Sequence, residues 1–171
     1  MNNGRVFTPV VAGLIIGVIC VVTAILLAAT GGVMAGGIGV IQFLVIIIML
    51  VIFIQRYGKA ADYSKSFGDL FGYGFKATAL ITLISLLYLI VYLTANPEVK
   101  TILMEETRKQ MLAGGSNPDE IKKNLEITSE YFMISAVGSS MFLIVLVGTL
   151  GSLAGAGTTR KPPRNSNAIQ P

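Results

Sequence analysis

Apolar residues along the chain collect into four runs, Val10–Ala29, Val33–Ile54, Ala77–Ala95 and Phe132–Ala156, and none of these contains Asp, Glu, Lys or Arg. A helix rises about 1.5 Å per residue, so crossing a hydrocarbon core of about 30 Å takes about 20 residues, and each run supplies roughly that length. The pattern predicts an all-α, polytopic integral membrane protein with four transmembrane helices, over about residues 8–29, 33–54, 72–95 and 132–156. Residues 1–156 then form a single four-helix transmembrane domain, with a helical extracytoplasmic loop, 96–131, between the third and fourth spans. Residues 157–171 read as a disordered, basic cytoplasmic tail.

Composition fits a lipid solvent: 53% of the 171 residues are hydrophobic and 13% charged, against the roughly 25% charged of a soluble domain. The first run follows Arg5 and ends in "LAAT", which loosely resembles a secretory signal, but its apolar core is too long and it reads as a retained span. Charge then sets the expected orientation. The N-terminus, residues 55–76 and the tail together carry Arg5, Arg56, Lys59, Lys65, Lys76, Arg160, Lys161 and Arg164 against Asp62 and Asp69. The other side carries Lys100, Arg108, Lys109, Lys122 and Lys123 against seven carboxylates, Glu98, Glu105, Glu106, Asp119, Glu120, Glu126 and Glu130. Because Lys and Arg near span ends are retained in the cytoplasm, both termini are expected there, in the bacterial inner (cytoplasmic) membrane.

The extracytoplasmic loop is expected to hold two helices. Asn96-Pro97-Glu98 and Asn117-Pro118-Asp119-Glu120 each read as a capping Asn, a first-turn Pro and acidic residues favoured by the helix dipole, with a Gly114-Gly115-Ser116 hinge between them. The second helix places Ile121, Leu125, Thr128 and Phe132 on one face, and with no Gly or Pro before Gly138 it is expected to run unbroken into the fourth span. Such a rod, from Pro118 to about residue 153, measures about 54 Å at helical rise. The loop reads as a solvated charged cap, with a partner-binding or gating hairpin as the alternative.

Helices that are apolar all round find each other through small residues, which let backbones touch. Gly13, Gly17, Cys20, Ala24 and Ala28 recur at four- and three-residue steps in the first span, and Gly148, Ser152 and Gly155 do so in the last. Gly68 and Gly72 add another four-residue step near the third span. These positions are expected to be helix-packing surfaces within the chain, or else a homodimer seam or pore lining.

Little catalytic chemistry is on offer. The sequence has no His, one Cys and no carboxylate inside a span, so no transition-metal site, Cys–His pair or buried acid pair is implied, and the chain reads as non-enzymatic with no cofactor. Hydroxyls inside the spans, Thr78, Thr82, Ser85, Ser135, Ser139 and Ser140, together with Gln42, either bond to helices or line a path for a solute.

One polar stretch stands out, "IQRYGKAADYSKSFGDLFGYGFK" at 54–76. It lacks a phosphate-loop pattern. Ser66 with Asp69 three residues on reads as a capping box, and Phe67, Phe71 and Phe75 then recur every four residues. With the outer end of the span at Asn96, an apolar core of about 20 residues reaches back to Lys76, which places earlier residues at headgroup depth. Arg56, Lys59, Lys65, Phe67, Phe71, Phe75 and Lys76 are therefore expected to form an interfacial anchor, the cations reaching an anionic surface and the rings lying in the interface. A ligand or partner site is the alternative.

The second span ending in "QRYGK", the "SFGDLFGYGFK" turn, the charged segment with "AGGSNPDEIKKNLE" and the final span with its basic tail resemble the uncharacterised Bacteroidota membrane proteins of domain of unknown function 4199. The resemblance implies a small four-helix membrane protein and brings no catalytic or ligand residues. The expected function is that of an accessory or interaction subunit of a membrane assembly, with a small oligomeric transporter or channel as the alternative. Its expected partners are the lipid bilayer and other membrane proteins or a second copy of itself, and no nucleic acid.

Overall fold

The structure, a computed structural model, describes residues 7–29 and 37–159. Every regular element among them is helical: α1 Pro9–Ala29, α2 Gly37–Ala60, α3 Phe67–Ala95, α4 Glu98–Ala113, α5 Pro118–Glu130 and α6 Phe132–Thr158. Helices α1, α2, α3 and α6 are each long and apolar enough to cross a membrane. That makes the chain an all-helical, multi-pass membrane protein by length and composition.

The helices differ at their ends from the expected spans. Helix α2 runs six residues past Ile54, and α3 begins five residues before position 72. The apolar run marks only the part that lipid would cover, whereas α2 is continued by contacts with α3 and α6 described below. Gly157 and Thr158, placed in the tail by composition, remain in α6. The rest of the tail from residue 160, residues 33–36, and the cations Arg5, Arg160, Lys161 and Arg164 lie outside the described residues.

The chain divides into two compact units. The first holds α1, α2, α3 as far as Ile84 and α6 from Ile144, and the second is Ser85–Leu143. The core of the first unit is aliphatic: Ile16 and Cys20 of α1, Ile46, Leu50 and Ile54 of α2, and Ile81 of α3 are fully buried. Branched residues instead point outward elsewhere, with Val10, Leu14, Val18, Val22, Ile48 and Ile52 among the exposed apolar side chains. A soluble protein would lose free energy by such exposure, whereas lipid tails accept it.

Within the second unit, α4 and α5 form a helical hairpin closed by Gly115, at φ +78. The Ser116 and Gly115 amides donate to the Met111 and Leu112 carbonyls, a Schellman closure whose left-handed residue favours glycine. Asn117 caps α5, its side chain accepting from the Asp119 amide at 3.2 Å, as the Asn-Pro-Asp spacing predicts. Asn96 does not do the same for α4. Only two residues separate α3 from α4, and the Asn96 side chain donates 2.8 Å to the Tyr92 carbonyl, closing the helix behind it.

The expected unbroken rod is also corrected, because α5 stops at Glu130 and Tyr131, with ψ 18, separates it from α6. A continued helix would direct the Ser129 carbonyl to the amide four residues on. Instead that carbonyl accepts from Lys100 Nζ of α4 at 2.9 Å, and the same ammonium lies 5.9 Å from the Phe132 ring centroid. A cation on the last carbonyls of a helix is favoured by both the charge-assisted bond and the dipole.

Candidate functional site

The glycine faces named from sequence are placed as follows in the first unit. A Cβ on Gly13 would lie 2.7 Å from the Ala77 carbonyl oxygen, and one on Gly17 would lie 2.8 Å from Ile84 Cδ1, so α1 meets α3 backbone to backbone. Gly148 presses on Thr78 of α3, Gly151 on Leu50 and Gly155 on Ile54 of α2. Cys20 and Ser152 are fully buried, while Ala24 and Ala28 are half-buried. Gly72 differs: a Cβ there meets nothing within 4 Å, and one on Gly68 meets only Ser66 Oγ at 3.8 Å.

Polar groups inside the spans mostly bond to the turn behind them. Thr78, Thr82, Ser139 and Ser152 donate to the carbonyls of Gly74, Thr78, Ser135 and Gly148 at 2.7–3.0 Å. Gln42 instead crosses between helices, its amide nitrogen donating 3.1 Å to the Cys20 carbonyl of α1.

The polar stretch around residues 54–76 is where the chain builds a hollow. At the end of α2, Tyr57 stacks on Tyr73 of α3 with centroids 4.5 Å apart, and Gln55 donates 3.1 Å to Thr158 Oγ1 of α6. These contacts carry the helix beyond its apolar run. The Tyr63 and Asp62 amides then donate to the Gly58 and Lys59 carbonyls at 2.8 and 3.0 Å, a Schellman closure of α2. Its left-handed position is usually glycine, yet here Asp62 has φ 49 and Tyr63 follows at φ 55. Such backbone costs on the order of 1 kcal/mol or more per residue, and strain of this kind collects at functional sites. Ser66 opens α3 as the sequence spacing predicts: its hydroxyl accepts from the Asp69 amide at 3.1 Å, and the Asp69 carboxylate accepts from the Ser66 amide and hydroxyl.

Two clefts flank Tyr63. The larger, about 600 Å³, is lined by Ile52, Gln55, Arg56, Lys59, Tyr63 and the hydroxyl pair Thr158 and Thr159. The smaller, about 190 Å³, brings Lys65, Phe67 and Leu70 against the end of α6. Arg56, Lys59 and Lys65 are exposed, and none is ion-paired; among the described residues the one ion pair is Arg108 with Glu105, at 3.6 Å. Lys76 is exposed on α3 and lines neither cleft. Phe67, Phe71 and Phe75 form a ladder along α3 with centroids 6.4 and 5.9 Å apart, Phe67 and Phe75 being about half exposed.

Residues 12–161 match the family described as Protein of unknown function (DUF4199). The chain belongs to that family. No curated protein and no solved structure matches it. The family match takes in α2 to α6 entire and nearly all of α1, so the cleft at the ends of α2 and α6 lies wholly within it. Sequence reading of this DUF4199 chain found the cations of the cleft and missed Gln55, Tyr63, Thr158 and Thr159. The only sequence signal for the last two is a pair of hydroxyls directly before the basic tail.

Proposed function

We propose that the protein is a non-enzymatic, multi-pass protein of the bacterial inner membrane, with both termini cytoplasmic, acting as an accessory or interaction subunit of a membrane assembly. The observation that carries this reading is the open glycine pair on α3. Gly13, Gly17, Gly148, Gly151 and Gly155 are filled by neighbouring helices, whereas Gly68 and Gly72 have open space beside a Phe67–Phe71–Phe75 ladder whose two end rings are exposed. Small residues beside aromatics give another helix a surface for close approach. The tightly filled aliphatic core and the hydroxyls turned back on their own helices favour this reading over transport.

A pull-down in mild detergent, using a C-terminal tag, tests the role. One stoichiometric partner, or a second copy, is expected with the wild type and is lost with Gly72→Leu, whose Cβ enters a strip with nothing within 4 Å. A wild-type chain that purifies alone as a monomer overturns the reading. Orientation is tested separately with reporters. One fused after Pro171 is expected to be active only in its cytoplasmic form and one inserted at Gly115 only in its periplasmic form; the reverse of both refutes the orientation. It rests on eight basic residues on one side against five on the other.

A further inference from the structure

We infer that the larger cleft, at the ends of α2 and α6, binds the phosphate headgroup of an anionic lipid. This inference goes beyond the accessory role and does not require it. The outward stripe of α2 carries the argument. Ile48, Ile52 and Arg56 follow one another at four-residue steps on one helix face, with Lys59 one turn on. Ile48 and Ile52 are 54% and 39% exposed, so an apolar track leads along the helix directly to two cations.

An acyl chain lying on that track would end with its headgroup between Arg56 and Lys59. There the cleft supplies a planar guanidinium, an ammonium and the Tyr63 ring, beside Gln55, Thr158 and Thr159. Arg and Lys are the natural donors to a phosphate, the first through paired N–H groups and the second as a point charge. The Thr158 and Thr159 hydroxyls already donate to the Ala154 and Gly155 carbonyls, at 2.7 Å each, and Gln55 spends one amide N–H on Thr158, which leaves the cations, the second Gln55 N–H and the Tyr63 hydroxyl as the free donors.

The opposing negative charge is Asp62 in the adjoining turn and the carbonyl ends of α2 and α6, about half a charge for each helix. Asp69 is engaged by Ser66. Arg56 and Lys59, with Lys65 beyond Tyr63, exceed this opposing charge, and no carboxylate pairs with either cleft cation. A concave basic site at the end of an apolar track selects a molecule that is apolar along its length and anionic at its head.

The test uses the full chain, purified in uncharged detergent and exposed to mixed micelles holding equal amounts of phosphatidic acid and phosphatidylcholine. Retained lipid is then quantified. The wild type is expected to retain phosphatidic acid preferentially. Near a membrane each cation contributes a factor of about five, so Arg56→Gln or Lys59→Gln lowers that preference about fivefold and the pair about 30-fold. Lys109→Gln, exposed on α4 and outside both the cleft and the basic stretch at 54–76, leaves the preference unchanged.

A second arm dialyses the same micelles against inorganic phosphate. Binding there that the same substitutions remove, without lipid preference, assigns the phosphate chemistry to a soluble ligand and overturns the lipid source. Absence of both lipid preference and phosphate binding in the wild type overturns the site altogether. So does a loss with Lys109→Gln equal to that with Arg56→Gln, which would mean net charge alone. If the paired Gln variant fails to fold, the charge-preserving Arg56→Lys with Lys59→Arg, expected to keep the preference within a fewfold, decides alongside the wild-type measurement.

Discussion

Gly148→Leu is expected to lower unfolding stability by about 3 kcal/mol, at the upper end of the range for overpacked cores. The first side-chain carbon at this position would overlap Thr78 Cγ2 and come within 2.5 Å of Thr78 Oγ1. Thr78 cannot turn aside. It is 1% exposed, β-branched and held by its bond to the Gly74 carbonyl, so α3 and α6 have to separate along the whole seam. The pairing itself can be isolated with Gly148→Ala and Thr78→Ala. Trimming Thr78 removes the two closest atoms but leaves its Cβ, at 2.9 Å, so relief is partial. Detergent unfolding curves of the two single variants and the double are expected to show a coupling of about 1 kcal/mol or more, as touching residues do. Additive effects within about 0.5 kcal/mol would mean that the two side chains do not meet.

The second large effect belongs to Gly13→Leu, where the obstacle is main chain. The new Cβ would sit 2.7 Å from the Ala77 carbonyl oxygen and 3.2 Å from Ala77 Cα, and neither atom has a rotamer to adopt. A loss of about 3 kcal/mol is expected here as well. Next to it, Leu14 is 50% exposed and faces away from α3, so Leu14→Ala is expected to change stability by less than about 0.5 kcal/mol, as surface positions do. Equal losses at the two neighbours would refute the assignment of this face of α1 to the seam.

What could be read from the sequence was what local spacing decides. Four runs free of charge give four long helices, because the count needed to cross a bilayer is set by helical rise alone. The Ser66–Asp69 and Asn117–Asp119 caps are contacts within three residues, so their spacing names them. Distant contacts were not legible. Helix α2 continues to Ala60 because Gln55 finds Thr158, 103 residues away, and Tyr57 finds Tyr73. The break at Tyr131 follows from a lysine 29 residues upstream taking the Ser129 carbonyl, and Asn96 spends its amide on α3 because the link to α4 is so short. The same reasoning covers the cleft. Its cations were visible as a cluster between spans, but their convergence on Thr158 and Thr159 depends on how far α6 runs.

Cys20 sits in the middle of α1 with no exposed surface, against a core of isoleucine and leucine and beneath the Gln42 bridge. Thiol chemistry needs access, and a fully buried side chain offers none. For any reagent that labels exposed thiols, the folded protein therefore behaves as though it had no cysteine at all. A single cysteine introduced at a chosen position, on the rim of the cleft or along the open strip of α3, would report its own surroundings on an unaltered background, and labelling of the unmodified chain would serve as a direct gauge of unfolding.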